Sequence, residues 1–202
     1  MTAVSNVSIA NRALTKIGEG RITSLAQASE SARVLNACFE QVRDAELRRR
    51  KWRFALARVS LAALADAPAF GYTRQFQLPS DCLRVWSVGE IATGAFPDQL
   101  YTSLDAEDYA IEGRVILTDL DAPLAIRYTQ RVTDPVQFDA AFVEALAARL
   151  AYEIASSLGK AGSDRDDALR DYKMALAEAV HANAIEAGAQ VIPDDSWLLA
   201  RA

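Results

Sequence analysis

Residues 29–55 read SESARVLNACFEQVRDAELRRRKWRFA, and the rest of the chain is organised around this stretch. Apolar residues recur in its first twenty positions at helical spacing and predict one amphipathic helix. The face expected to be buried consists of Leu35, Cys38, Phe39, Val42 and Ala45. Ser29 is suited to the N-cap position, because its hydroxyl can accept a hydrogen bond from a free backbone N–H. We therefore expect a long helix on which other elements pack.

The predicted helix ends in a cluster of cationic and aromatic residues. This helix-end cluster comprises Arg48, Arg49, Arg50, Lys51, Trp52 and Arg53. The helix dipole favours cations at a C-terminus, and the large aromatics must bury against another part of the chain. Arginine and tryptophan are also common anchors of protein interfaces, so the cluster indicates a subunit contact. A nucleic-acid contact is the alternative, since cations mixed with aromatics bind phosphates and stack bases.

Two ion pairs are predicted on the surface of the same helix. Asp44 precedes Arg48 by four residues and Glu46 precedes Arg50 by four, with the acid first in each pair. This order and spacing is the favourable one for ion pairs along a helix.

Length and charge restrict the class of protein. A chain of 202 residues corresponds to one domain, or one domain with a modest insertion. Its net charge of −5 argues against free nucleic-acid binding, for which a basic excess is usual. No export signal and no apolar run long enough for a membrane span is apparent, so we expect synthesis in the cytosol and no membrane partner. Cys38 and Cys82 are interpreted as buried apolar thiols.

Helical patterns lie at both ends of the chain. A first helix is expected to begin at Ser5 or Asn6 and to stop at Gly18. Asp134 followed by Pro135 predicts the start of a third helix, which Gly159 ends. A fourth helix begins near Ser163, and the short link between the last two predicts an antiparallel hairpin.

In the middle of the chain, the spacing of apolar residues is typical of strands rather than helices. Alternating apolar residues and turn signals between residues 72 and 132 predict a small antiparallel β-region with an acidic middle. From Asp98 to Asp121 there are seven Asp or Glu residues against the single Arg114. Residues 54–65 fit a strand or a helix, and we favour a strand.

These patterns together predict an α+β, mainly α fold. A helical bundle forms from residues 1–71 and 133–188, residues 72–132 are an inserted small antiparallel β-region, and residues 189–202 are an extended C-terminal tail. The tail lacks periodicity but is apolar, and such a segment is costly to leave in water. We expect it to bind a partner through Val191, Ile192, Trp197, Leu198 and Leu199.

No pattern in the sequence indicates catalysis. The chain has no Cys/His cluster with metal-ligand spacing, no glycine-rich phosphate loop and no nucleophile elbow. Adjacent acids such as Glu107 and Asp108, or Asp194 and Asp195, could be proposed as a glycosidase pair. Neighbours on a chain usually point apart, however, so we expect no enzyme activity, no metal and no cofactor.

Several short landmarks occur in a characteristic order along the chain. They are Asn11-x-Ala13-Leu14 with Gly18, Ile22-x-Ser24-Leu25, Ser29-x-x-Ala32, Trp52-x-Phe54-Ala55, Pro68-Ala69-Phe70-Gly71, Leu78-Pro79-Ser80-Asp81-Cys82-Leu83-Arg84 and Ile192-Pro193-Asp194-Asp195-Ser196-Trp197. In this order the chain resembles the phage head-to-tail adaptor family called tail tubular protein A, found in short-tailed phages and their prophages. One departure is Lys51, where members of the family often have a proline.

The resemblance implies a structural virion protein. Members of this family form a ring, usually of twelve copies, beneath the portal protein and above the tail nozzle protein. Genomic DNA passes through the lumen without specific binding. The resemblance thus implies a protein of the tail at the head–tail junction, assembled in the host cytoplasm, with the apolar tail as a strap onto the portal. A peptidoglycan-degrading tail protein, suggested by the acidic β-region, and a small nucleic-acid-binding module are the alternatives.

Overall fold

The computed structural model describes residues 4–89 and 109–186, which contain four helices and six strands. The helices are α1 (Asn6–Lys16), α2 (Glu30–Arg49), α3 (Ala140–Ala155) and α4 (Gly162–Ile185). The strands are β1 (Leu56–Leu61), β2 (Arg74–Gln77), β3 (Cys82–Val88), β4 (Tyr109–Glu112), β5 (Val115–Thr118) and β6 (Leu124–Gln130).

The expected helix ends are largely confirmed. Ser5 caps α1 in a reciprocal arrangement with Ser8, and Gly18 follows the helix with a φ of 67°. Ser29 caps α2 by accepting from the backbone N–H of Ala32 at 3.3 Å. The start of α3 differs from the expectation, because Asp134 caps a separate 3-10 turn, Pro135–Gln137. Asp139 is the N-cap residue of α3 itself.

Helix α3 lies at the centre of the helical part, and the other three helices pack against it. Nine of its 16 residues are buried, five of them alanines, so that neighbouring helices can approach closely. α3 and α4 form the predicted antiparallel hairpin, and Gly159 between them has a φ of 68°. Leu35, Phe39 and Val42 of α2 are buried as expected, whereas Cys38 is half-buried and Ala45 is exposed.

The strands form two antiparallel three-stranded sheets. Sheet A has the order β1-β6-β3, and sheet B has the order β2-β5-β4. A single bridge between Ala63 and Phe76 connects the end of β1 to β2. Apolar side chains from both sheets bury one another in a second core, distinct from that of the helices: Leu61, Phe76, Leu78, Cys82, Ile116, Leu124, Ile126 and Tyr128.

The expectation of a mainly α helical bundle with a small β-region is wrong. About 47% of the described residues are helical and about 20% are in strands, so the fold is α+β with two sheets and a β core of its own. The favoured strand assignment within residues 54–65 is confirmed by β1, which pairs with β6 rather than joining the helices. This pairing joins residues far apart in sequence, so local periodicity could not reveal it. Strand β4 lies in the acidic middle and was not predicted.

Candidate functional site: the helix-end cluster

The helix-end cluster leaves α2 in an extended conformation. The helix ends at Arg49, and Arg50 already has an extended backbone, with φ −132° and ψ 163°. The chain therefore leaves the helix at once, at Arg50. The six cluster residues consequently point to different parts of the protein.

Trp52 is the buried member of the cluster, with 1% of its surface exposed. Its indole N–H donates to the backbone carbonyl of Glu46 at 2.8 Å, which satisfies its one polar atom. Its ring contacts Phe142 of α3 edge-on, with centroids 5.0 Å apart, and stacks near Phe54 at 6.3 Å. Phe138 completes this aromatic group. The predicted burial of Trp52 is confirmed, and the tryptophan anchors the end of α2 in the helical core.

The side chain of Asn183, near the end of α4, holds the backbone on both sides of Trp52. Its Oδ1 accepts from the N–H of Arg53 at 2.8 Å, and its Nδ2 donates to the carbonyl of Lys51 at 3.0 Å. An extended segment that leaves a helix has no regular partners for these groups, so Asn183 supplies them. The Nε of Arg53 is buried, and no residue of the described ranges accepts a hydrogen bond from it.

Two of the cations contact sheet A. Arg48 donates through Nη1 to the backbone carbonyl of Leu83 in β3. The ammonium of Lys51 lies 6.0 Å from the ring centroid of Trp86, also in β3. Arg50 is exposed. The cluster is therefore chiefly a joint between the helices and sheet A.

Arg49 belongs to a buried polar network around Glu46, which is 4% exposed. One carboxylate oxygen of Glu46 accepts from the hydroxyl of Tyr172 at 2.8 Å and lies 3.6 Å from Arg49 and 3.5 Å from Arg149. Arg49 also donates to the Tyr172 hydroxyl. Burial raises the pKa of Tyr172 to about 12, and the hydrogen bond to Glu46 and its charge act in the same direction. A buried carboxylate needs such compensation, because desolvation of an unpaired charge is costly.

The predicted ion pairs along α2 are wrong. Glu46 faces inwards to Arg49 and Arg149 rather than to Arg50. Asp44 pairs with Arg43 at 2.9 Å and with Arg131, just beyond β6, at 2.7 Å, rather than with Arg48. Tertiary partners therefore replace the local ones, and the Asp44–Arg131 pair adds a second link between the helices and the β-region.

The polar residues of this site were not identified from the sequence, although the helical period indicates that Glu46 is buried. Glu46 lies four residues after Val42 and seven after Phe39, so the helical period places it on the buried face. Its spacing from Arg50 predicts a surface ion pair instead. Tyr172, Arg149 and Asn183 could not be found in this way, since they come from helices more than a hundred residues further along the chain.

The expected burial of the two thiols is confirmed for Cys82 and only partly for Cys38. Both are unpaired thiols; Cys82 is buried in the β core and Cys38 is half-buried beside the helical core. Burial raises the pKa of each thiol, which disfavours the reactive thiolate.

Several expected features lie outside the described residues. These are the tail residues Val191, Ile192, Trp197, Leu198 and Leu199 and the acid pairs Glu107–Asp108 and Asp194–Asp195. Within residues 4–89 and 109–186, no group of three or more His, Cys, Asp or Glu side chains is placed to hold a metal ion. No helix in the described part of the chain is both long and apolar enough to cross a membrane.

Comparison with known proteins gives no further assignment. No protein-family model matches the chain, and no curated protein matches it.

Proposed function

We propose that this protein is a ring-forming head-to-tail adaptor of a short-tailed phage, which joins the portal protein to the tail nozzle protein and lets DNA pass during ejection. The observation that carries the proposal is the order and spacing of the seven landmarks along the chain. In this proposal the protein belongs to the virion tail at the head–tail junction, is assembled in the host cytoplasm, and has no catalytic role.

Several landmark residues have structural roles in the described part of the chain. The side chain of Asn11 accepts from the N–H of Ile22 at 2.7 Å and donates to its carbonyl at 2.8 Å, which fixes the connector to α1. Ser29 caps α2, and Trp52 anchors its end. Gly71 has a φ of 89°, a conformation that favours glycine.

Two exposed apolar residues on α4 are available for contact with further copies of the chain. Met174 is 64% exposed and Ile185 is 68% exposed. They lie eleven residues apart, about three helical turns, and therefore on the same side of α4. Single exposed apolar side chains are ordinary on a protein surface, so these two residues permit a subunit contact without requiring one. Copies arranged in a closed ring, twelve in the family that the chain resembles, provide such a neighbour.

The decisive experiment is electron microscopy of the protein mixed with the purified portal of the same phage. We expect a ring extended by one tier, with density for this protein on one face of the portal. Both partners are used at concentrations that saturate other adaptor–portal pairs. Portal rings without an extra tier, beside free and well-folded protein, would then contradict the proposal.

The role of the tail is tested by deleting residues 189–202. We expect the truncated protein to keep its circular dichroism spectrum and melting temperature and to lose the extra tier. A matched control replaces Asp194 and Asp195 by Asn, which keeps the apolar side chains and should keep the tier. A truncated protein that still adds the tier would show that the tail is not the strap.

Nucleic-acid binding through the helix-end cluster is the weaker alternative. Arg48, Arg49 and Lys51 contact carbonyl, hydroxyl and aromatic groups of the protein itself, so the cluster offers fewer cations to phosphates than its sequence suggests. Duplex binding that is lost on replacing Arg50 by Gln, the exposed member, would favour this alternative.

A further inference from the structure

The connection between β1 and β2 exposes a run of apolar residues. This apolar loop, residues 62–71, reads AALADAPAFG. Every residue in it except the half-buried Pro68 is exposed, and Phe70 is 88% exposed. Consecutive apolar residues are unfavourable in water, so a run of this kind on a surface indicates contact with a partner. The loop is therefore a candidate interaction surface.

Hydrogen bonds hold the apolar loop against sheet B. The backbone N–H of Leu64 donates to the carbonyl of Gln75 in β2 at 2.8 Å, and the side chain of Gln75 donates to the carbonyl of Asp66 at 2.8 Å. Just after the loop, the N–H of Thr73 donates to the carboxylate of Asp119 at 2.8 Å. A loop fixed at these points loses less conformational entropy when it binds.

A groove of about 840 Å³ lies between α1 and the start of α3. The apolar part of its lining consists of Val4, Ile9, Ala140 and Val143. Ile9 is buried and Val143 is half-buried, so apolar side chains form the floor of this α1–α3 groove. Sites that bind an apolar group are of this size and combine apolar walls with a few polar groups.

Cations lie around the same groove. Arg12 and Glu144 both line it and pair with each other at 2.5 Å. Lys16, also in the lining, lies 3.7 Å from Asp171 of α4. Arg21 lines the groove from the connector after α1, is exposed, and forms no ion pair with a residue of the described ranges. Arg21 is therefore the cation of this groove that can accept a further acidic partner.

The apolar loop is complementary to the α1–α3 groove. Its single charge is the exposed Asp66, which lies four residues before Phe70. The groove offers an apolar floor to an aromatic ring and the guanidinium of Arg21 to a carboxylate. Within one copy the two surfaces do not meet, since Phe70 is exposed and the described residues that line the groove include none from the loop. Each copy therefore presents both surfaces to other copies.

We propose that the apolar loop of one copy binds in the α1–α3 groove of the next copy, with Phe70 on Ile9 and Val143 and with Asp66 beside Arg21. A contact between two different surfaces is heterologous, and its repetition closes a ring when the rotation between copies allows it. The inference rests on the ring-forming part of the proposed function and names the two surfaces of the subunit contact.

The test is photo-crosslinking of the full chain carrying Phe70→p-benzoylphenylalanine, both as the concentrated protein alone and as the protein mixed with the portal. Copies with heavy and light isotopes are mixed, so that mass spectrometry separates crosslinks between copies from those within one copy. We expect crosslinks to peptides of α1 or the start of α3 in another copy. The same probe at Met174, which is 64% exposed, is the control and should not label these peptides.

The crosslinked peptides decide between the possible partners of the loop. Crosslinks only to the portal, to another surface of a second copy or within one copy would overturn the proposal. So would no crosslink in either sample, or equal labelling of the groove from Met174. A tier on the portal without loop–groove crosslinks would support the adaptor function and overturn this contact. Loop–groove crosslinks without a tier would support the contact and contradict the adaptor function.

Charge reversal tests the pairing of Asp66 with Arg21. In the chain that carries the probe at Phe70, D66R alone and R21D alone should each lower the crosslink yield by about fivefold, because like charges then meet. A mixture of the two variants should restore the yield, since the loop of each then matches the groove of the other. R33D, at an exposed position of α2, is the control and should leave the yield unchanged. A mixture as weak as the single variants would overturn the proposed docking.

Discussion

Trp52 stabilises both the packing of α2 against α3 and the backbone of the segment that follows α2. Its ring fills the space between α2 and α3, and its N–H ties the extended segment back to the last turn of α2. Glu46 contributes to the same place twice, with its backbone carbonyl to Trp52 and its carboxylate to Tyr172. Changes at these residues should therefore affect stability well beyond their own contacts.

Replacing Trp52 by Ala is expected to lower the free energy of unfolding by about 3–5 kcal/mol, because a large buried ring is lost and a cavity remains. This is a large share of the stability of one domain, so the variant should be mostly unfolded at moderate temperature. Urea denaturation measures the change. W86A is the matched control, since Trp86 is only half-buried and its loss should cost much less. A W52A protein as stable as W86A would contradict the anchoring role.

Tyr172 should make stability depend on pH in alkaline solution. Its pKa is about 12 in the folded protein and about 10 in an unfolded chain, so the folded state keeps the proton longer. The stability from this group is complete below about pH 10 and is lost as the pH rises towards about 12. The difference in unfolding free energy between native protein and Y172F should thus fall by about 1–2 kcal/mol between about pH 9.5 and 11.5.

The control for the titration is Y109F, which changes an exposed tyrosine on β4. Denaturation curves of the three proteins at the two pH values give the comparison. A constant difference between the native protein and Y172F would show that the Tyr172 hydroxyl does not stay protonated against Glu46.

At the scale of elements, Asn183 near the end of α4 holds the backbone that follows α2 by two hydrogen bonds. Replacing Asn183 by Ala removes both hydrogen bonds to the backbone around Trp52 and should cost about 1–3 kcal/mol. N36A, on the exposed side of α2, is the matched control and should change stability by less than about 0.5 kcal/mol. Equal effects in thermal melts would mean that water replaces Asn183 without loss.

Elements with strong local signals could be predicted from the sequence, and those that depend on distant partners could not. Ser29 and Gly18 mark helix ends by their own chemistry, and α1, α2 and the α3–α4 hairpin appear where these signals place them. The sequence of strand β1, LARVSL, does not decide between helix and strand, and pairing with β6 decides its conformation. Helix α2 ends within the helix-end cluster, where its sequence indicates, but the cations of that cluster divide between sheet A and a buried acid that only tertiary structure brings together.

At the scale of the whole molecule, the helices and the sheets have separate hydrophobic cores joined by the helix-end cluster and the Asp44–Arg131 pair. We expect a destabilising substitution in one core to speed hydrogen exchange in that part of the protein and to leave exchange in the other part unchanged. Replacing Ile116 by Ala in the β core should cost about 2–5 kcal/mol locally and speed hydrogen exchange in β2 and β5. Exchange in α3 should change little.

The matched substitution is I154A in the helical core, where the side chain is equally buried. It should speed exchange in α3 and α4 and leave the sheets protected. Hydrogen exchange followed by mass spectrometry resolves the two regions. Uniformly faster exchange after either substitution would show that the two cores unfold as one unit.

The positions of Trp52 and Trp86 have an optical consequence. Trp52 emits from a dry aromatic pocket on the helical side of the joint, whereas Trp86 emits beside cations and water on the sheet side. With Trp197, the third tryptophan of the chain, replaced by Phe, the fluorescence of the protein has one blue and one red component. The chain then carries one tryptophan on each side of the joint, and the unfolding of each side can be followed by its own fluorescence without any added label.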